Sequence, residues 1–461
     1  MQEAPVSSAN RRFIPLQWAV LTGIAAGFGI SVLLFPMAAL VAINAIVILH
    51  SLALLTLRGA ALALTLSEPR PPLIQPASRL SNRDLPVITI LCPMYKEAGS
   101  LPNLIGALKA LDYPPDKLDI KLVLEADDHE TLAAARRLAT GPMFDIVAVP
   151  EGGPRTKPKA CNYAMWSAKG DLLVIYDAED RPAPSQLRRA ADAFAELPGD
   201  MACLQARLNY YNRSETWLTR LFAAEYALIF DIMLPGLAKM GAPLPLGGTS
   251  NIFRTDILLK VGGWDPYNVT EDADIGLRLS AAGYRTAVLD ATTLEEATSR
   301  VRPWFRQRTR WIKGYIQTWA VHSRRRSPTF GHAITLHLLV GGVVTAALVN
   351  PLLWTTYLLW ITGMADLGWL FPGPLGAMAT LAFLGGNLML LWLYMIAPLR
   401  RRWHDLVPYA LSAPFYWMLQ SAAGYRAAWQ FFRAPHRWEK THHHGNIELE
   451  AIDPRDLETA G

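Results

Sequence analysis

Charge is distributed so unevenly along this chain that it dictates the architecture. Residues 13–57 carry no Asp, Glu, Lys or Arg, and neither do 327–365, 367–399 or 406–425. A helix crosses a bilayer with roughly 20 apolar residues, so these runs predict membrane helices on both sides of a water-exposed middle. That middle, residues 58–326, holds 64 of the chain's 83 charged residues, about 24%, which is the density of an ordinary soluble domain. The pattern excludes a soluble cytosolic enzyme, a disordered chain and a disulfide scaffold.

Phe13 to Leu57 is long enough for two helices joined at Phe35-Pro36. A signal peptide has an apolar region of only about 7–15 residues. Arg11 and Arg12 precede the run, and Arg58 and Arg70 follow it. The positive-inside rule puts both ends in the cytoplasm. Arg324-Arg325-Arg326 and Arg400-Arg401-Arg402 bracket the next hydrophobic region, so an even number of spans lies between them. Two is the simplest count, with a kink near Pro351. Residues 406–432 mix Trp, Tyr and Arg and read as an interfacial helix, giving four spans. Cys92, Cys161 and Cys203 show no ligand spacing and are expected to be free and buried. The net charge of +5 is accounted for by membrane-flanking arginines, and no nucleic-acid signature is present.

The domain limits expected are a tail at 1–12, two membrane helices at 13–58, a Pro-rich linker at 59–86, and an α/β domain at 87–300. Interfacial helices at 301–330, a membrane region at 331–399, a further helix at 400–433 and a tail at 434–461 complete the chain. Within the α/β domain, runs such as Val87–Cys92, Ile120–Leu124, Ile146–Val149 and Leu172–Tyr176 alternate with helical spacing, predicting a parallel sheet covered on both faces. Ligands of such sheets bind beyond the carboxyl ends of the strands. Acidic clusters stand at those ends: Asp127-Asp128, and Asp177-Ala178-Glu179-Asp180. Either alone could be a solvated loop; together they suggest a hard divalent cation shared with substrate phosphates. Thr270-Glu271-Asp272 opens a helix, where the dipole favours acids and where a carboxylate could serve as a base. Gln307 to Trp311 lies in a Trp- and Arg-rich helix suited to a membrane interface, and also to holding a diphosphate and a sugar ring.

In this order and spacing, Asp-Asp, Asp-x-acidic, Thr-Glu-Asp and Gln-x-x-Arg-Trp resemble the processive, membrane-embedded family 2 glycosyltransferases over residues 85–320. Pro93 to Glu97, Lys157 to Asn162 and Gly247 to Asn251 resemble the bacterial cellulose synthase and mixed-linkage β-glucan synthase branch. The resemblance implies a GT-A (Rossmann-like, nucleotide-sugar-binding) domain in the cytoplasm of an inner-membrane protein. It implies an inverting enzyme that polymerises a UDP-sugar, UDP-glucose in this branch, into a β-linked polysaccharide and translocates it. A polymer of N-acetylglucosamine and a single transfer to a lipid carrier are the alternatives. Tyr95, Glu97, Asp127 or Asp128, Lys159 and Asp177 would bind donor. Asp177 and Glu179, or Asp180 in its place, would hold Mg²⁺ or Mn²⁺. Asp272 would be the base with Glu271 beside it, and Gln307, Arg310 and Trp311 would hold diphosphate and acceptor. Trp438 and Thr441 resemble a gating loop over the nucleotide. The growing polysaccharide, membrane lipids and an accessory periplasmic subunit are the implied partners. Asp177-Ala178-Glu179 departs from the family's Asp-x-Asp, and no cyclic-di-GMP module is expected.

Overall fold

A computed structural model describes residues 8–67, 73–139 and 141–435. Trp438 and Thr441 lie outside them. The chain opens with α1 (Pro15–Leu34) and α2 (Pro36–Leu66). Each starts on a proline, whose fixed φ and missing N–H suit a first helical turn.

The α/β domain follows as β1 (Ile88–Met94), α3 (Leu101–Lys109), β2 (Leu118–Glu125), α4 (His129–Leu138), β3 (Phe144–Val149), α5 (Lys157–Met165) and β4 (Leu172–Ile175). Then come β5 (Arg181–Pro182), α6 (Gln186–Glu196), β6 (Met201–Tyr210), α7 (Trp217–Leu228), α8 (Leu234–Lys239), β7 (Asn251–Arg254), α9 (Thr255–Lys260), α10 (Glu271–Ala281) and β8 (Arg285–Glu295). The sheet order is β3-β2-β1-β4-β7-β6-β8-β5. The β3-β2-β1-β4 half is parallel, as expected. The expectation of a wholly parallel sheet is corrected beyond it: β7 runs antiparallel to both β4 and β6. A four-residue strand entered from the Gly247-Gly248 turn needs no crossover helix, so it can reverse direction.

One buried cluster fills the face under α3, α4 and α6 (Ile88, Leu104, Leu122, Leu187). Another fills the opposite face and continues into the hydrophobic helices (Leu57, Ala61, Leu173, Phe222, Leu393, Trp417). The domain and the apolar helices therefore share a core. Gly236 touches Ala61 so closely that a Cβ there would lie 2.5 Å from the Ala61 carbonyl oxygen, and Thr65 donates to the carbonyl of Ile232 at 2.9 Å. Cys92, Cys161 and Cys203 are free and buried.

Beyond the sheet run α11 (Val301–His322), α12 (Phe330–Ile334), α13 (Gly341–Ile361), α14 (Pro374–Thr380), α15 (Gly386–Arg400) and α16 (Ala413–Arg433). The helix runs through Pro351 unbroken. Its irregularity is a wide-turn segment at Thr335–Val340 instead. Five helical stretches among the described residues are long and apolar enough to cross a membrane: Pro15–Leu34, Pro36–Leu66, Trp217–Lys239, Phe330–Ile361 and Pro374–Arg400. They make the protein membrane-associated. Trp217–Lys239 differs from the rest: 78% of its apolar window is buried inside the protein, so its hydrophobic surface is already spent on packing.

Candidate active site

The strand ends converge on one cavity of about 1040 Å³, the size of a large ligand site. Tyr95, Glu97, Asp177, Glu179, Glu271, Asp272, Gln307, Arg310 and Trp311 all line it.

After β1, Lys96 takes a left-handed φ of 56°. This turns its backbone N–H onto Asp128, 2.5 Å away. Asp128 also caps α4 by accepting from the Thr131 N–H. It is spent on the backbone and lies off the cavity. Asp127 pairs with Arg155 at 2.8 Å, and Arg155 lines the cavity where Asp127 does not.

After β4, the loop is folded on itself by its last carboxylate. Asp180 is fully buried, accepts from the Asp177 N–H at 2.7 Å and takes the Thr249 hydroxyl. Burial and the charges of Asp177 and Glu179 push its pKa well up. The structure therefore makes Asp180 the brace of the loop, away from the cavity, and presents Asp177 and Glu179 to it. Lys157, which opens α5, reaches Asp177 at 2.5 Å and the carbonyl of Gly248 at 2.7 Å. Lys159 turns the other way, to Glu125 at 3.5 Å and the carbonyl of Pro150 at 3.0 Å.

Asp272 stands in the first turn of α10 and accepts from the Ala273 N–H at 2.7 Å. Gly248 faces it: a Cβ there would lie 3.3 Å from Asp272 Oδ2. Helix α11 presses the turn after its Gln-x-x-Arg-Trp segment against the start of α10. The Val269 N–H donates to Gln317 at 3.1 Å, and a Cβ on Gly314 would lie 2.4 Å from the buried Thr270 side chain. Overpacking costs about 1–3 kcal/mol, so Gly314→Ala is expected to lower Tm, measured by thermal unfolding in detergent. Gln307, Arg310 and Trp311, at i, i+3 and i+4, share the face that meets the cavity. Arg308 turns aside from that face into an ion pair with Glu225, and both also line the cavity. Its guanidinium also lies 4.6 Å from the centre of the Trp311 ring. The helix is no simple surface anchor: Trp304 and Lys313 are fully buried.

Burial, then the charge of Asp272, raises Glu271 to about 7. Burial likewise raises Asp272. Burial opposes the charge of Lys157, but Asp177 and Glu271 outweigh it and hold its pKa above the ordinary value. Among the described residues no three His, Cys, Asp or Glu side chains are grouped to hold a metal ion. Two carboxylates on a cavity wall, Asp177 and Glu179, are the donor set for an ion that takes its other oxygens from substrate phosphates and water, so the residues fit a hard divalent cation in that role.

Glu225 and the cavity-lining Glu295 were not singled out by the sequence, and Lys157 reads only as part of a motif in which Lys159 takes the phosphate role. A lone acid such as Glu225 in a mostly apolar helix is the signal that could have revealed one of them.

Three comparisons bear on this arrangement. A mannosyltransferase structure from Pyrobaculum calidifontis, solved with GDP-Man and Mn²⁺, superposes with a TM-score of 0.54, 21% identity, and coverage of 85% of this chain and 99% of that one. That likeness establishes a GT-A fold. Among curated proteins, the probable glycosyltransferase YdaM of Bacillus subtilis is 25% identical over 52% of this chain and 57% of its own length. Glucomannan 4-beta-mannosyltransferase 2 of Arabidopsis thaliana is 27% identical over 51% and 45%. Beta-monoglucosyldiacylglycerol synthase of Synechocystis is 26% identical over 58% and 56%. The chain thus spans about half the length of these relatives. A model of glycosyl transferase family group 2 matches residues 172–419, more than half the chain and the stretch holding Asp177, Asp272 and the Gln-x-x-Arg-Trp helix. The chain belongs to glycosyl transferase family group 2.

Proposed function

We propose that this protein is an inverting, metal-dependent, processive hexosyltransferase that polymerises a UDP-sugar, with UDP-glucose as donor, into a β-linked polysaccharide and passes it across the membrane. One observation carries the reading. The cavity that holds Asp177 and Asp272 does not end there but continues between the apolar helices, past Asn44 on α2, Trp354 and Tyr357 on α13, and Asn387 on α15. Aromatic faces and amide groups suit a saccharide chain. In this reading four helices span the membrane, and the α/β domain lies in the cytoplasm.

The mechanism assigned to these residues is a single displacement. Tyr95 and Glu97 hold the nucleoside. Mg²⁺ or Mn²⁺ on Asp177 and Glu179 would neutralise the diphosphate; the Pyrobaculum neighbour's structure contains Mn²⁺. Lys157 and Arg310 offset the charge that develops as the diphosphate departs. Gln307 and Trp311 orient the acceptor, and Asp272 removes the proton from its hydroxyl. Asp272 acts as base only when ionised, and its pair with Glu271 ionises late. The kcat/KM is therefore expected to rise with pH through a limb displaced above the ordinary carboxylate range, because burial raises Asp272. Glu271→Gln removes a neighbouring negative charge and should move that limb to lower pH. A limb that stays in place in this variant would take Glu271 out of the titration.

The relative named beta-monoglucosyldiacylglycerol synthase favours a second reading, transfer of one sugar to a lipid. Membranes given a panel of labelled UDP-sugars and GDP-mannose should yield a polymer in the void volume of a gel filtration column. Linkage-specific hydrolases would then identify it. A product that partitions into organic solvent with a single sugar would establish the second reading instead.

A further inference from the structure

Among the described residues, five Lys and Arg side chains line the cavity: Arg58, Arg155, Lys157, Arg308 and Arg310. Four face carboxylates. Arg155 meets Asp127 at 2.8 Å, Lys157 meets Asp177 at 2.5 Å, and Arg308 bonds Glu225. Arg310 lies in the field of Glu271, Asp272 and Asp177. Arg58 is the exception. No hydrogen bond or ion pair joins it to any described residue. A guanidinium is always charged and carries five donors, and in a low-dielectric wall such a group is kept in place by a counter-charge.

Its position says which anion would fit. Arg58 follows the 45-residue uncharged stretch at once. It lies one turn before Ala61, where α2 meets Gly236 of the α/β domain. In the four-span reading, the first charge after the apolar run marks where α2 would leave hydrocarbon for the headgroup layer. The wall below it on α2 is more apolar than polar, with Val47, Ile48, Leu54 and Leu55 beside Asn44, His50 and Ser51, and the polar wall above it carries Asp272. His50, a little over two turns deeper, has an Nε2 that is buried without a partner among the described residues. A cation between a wall richer in hydrocarbon and a polar one, with Leu54 and Leu55 nearest to it on α2, matches a phosphate joined to a hydrocarbon tail.

We propose that Arg58 is the seat for the phosphate group of a membrane amphiphile that occupies the lower cavity with its head toward Asp272. The site goes beyond the polymerase reading, since it concerns the lipid that shares the cavity with the sugar chain and stands whether the product is long or short. Guanidinium to phosphate oxygen is a charge-assisted, bidentate contact, and the acyl chains would lie along α2.

The test uses the full chain in maltoside micelles, titrated by calorimetry with dihexanoyl phosphatidic acid, dihexanoylglycerol and inorganic phosphate. Phosphatidic acid should bind tightest. Arg58→Gln should weaken it at least tenfold, and Arg58→Lys, which keeps the charge but not the fork, by less. UDP binding and Tm, unchanged in both variants, show that the fold and the nucleotide site persist. If Arg58→Gln does not fold, the Lys variant and the ligand series decide. Dihexanoylglycerol binding as tightly as phosphatidic acid, or variants that bind like the parent, would overturn the site. Inorganic phosphate binding as tightly as the lipid would overturn its assignment to an amphiphile. Failure here leaves the gel filtration result untouched, so the two readings fall separately.

Discussion

Asp272→Asn is expected to lower kcat about 10²–10⁴-fold, the usual contribution of a positioned general base, while UDP binding changes little. The amide is isosteric and can still accept from the Ala273 N–H through its oxygen, as the carboxylate does at 2.7 Å, so α10 keeps its first turn. What is lost is the proton acceptor. The neighbouring Glu271 cannot replace it simply by proximity. Glu271 is buried and titrates near 7 because of that burial and of Asp272 itself. Removing the Asp272 charge would lower the pKa of Glu271 without turning it toward the acceptor. The measurement is single-turnover transfer of labelled sugar beside equilibrium UDP binding. An Asp272→Asn enzyme that keeps more than a tenth of the parent rate would place the base elsewhere. A parallel loss of UDP affinity would recast Asp272 as a donor-binding group.

The three acidic clusters and the Gln-x-x-Arg-Trp helix were legible because their chemistry demands charged residues where a core would forbid them. Strand ends could be located from apolar runs, which placed Asp177 beyond β4 and Asp272 at the start of a helix. Other features depend on rotation and contact, which one sequence does not encode openly. Asp127 and Asp128 are chemically alike, yet one caps α4 and the other pairs with Arg155. Asp180 looks like a ligand and serves as a brace. The direction of β7 is hidden because a strand of four residues, Asn251 to Arg254, carries no pattern that distinguishes one direction from the other. Trp217–Lys239 shows the converse limit: its composition is that of a membrane helix, but its faces are consumed by α2, α15 and the sheet. The resemblance to cellulose and β-glucan synthases supplied roles for these residues. Geometry decided only which of them share a cavity.

The pair Lys157 and Lys159 turns that difference into a measurement. They are two residues apart, on opposite sides of Pro158, and on a helix that spacing separates side chains by about 200°. Only one can reach Asp177, beyond β4; the other turns to the ends of β2 and β3. Lys157 is the one that does, bridging Asp177 and the Gly248 carbonyl. Its ammonium stays charged because Asp177 and Glu271 outweigh the effect of burial, so it is a fixed positive charge beside the place where a diphosphate would leave. Losing one preorganised group of this kind usually costs about 10²–10³ in kcat. Lys157→Gln should therefore fall in that range, with a further effect on metal affinity because Asp177 loses its partner. Lys159→Gln breaks contacts with the Pro150 carbonyl and with Glu125; Glu125 lines the cavity but Lys159 itself does not. Its expected loss is less than about tenfold, the scale of one partly buried ion pair. Steady-state kcat/KM for the donor, taken at saturating Mn²⁺, separates the two. If Lys159→Gln proved the more damaging substitution, the diphosphate would have to lie beyond β3 and Glu125 rather than between Asp177 and Arg310, and the roles given to Lys157 and Arg310 would fail with it.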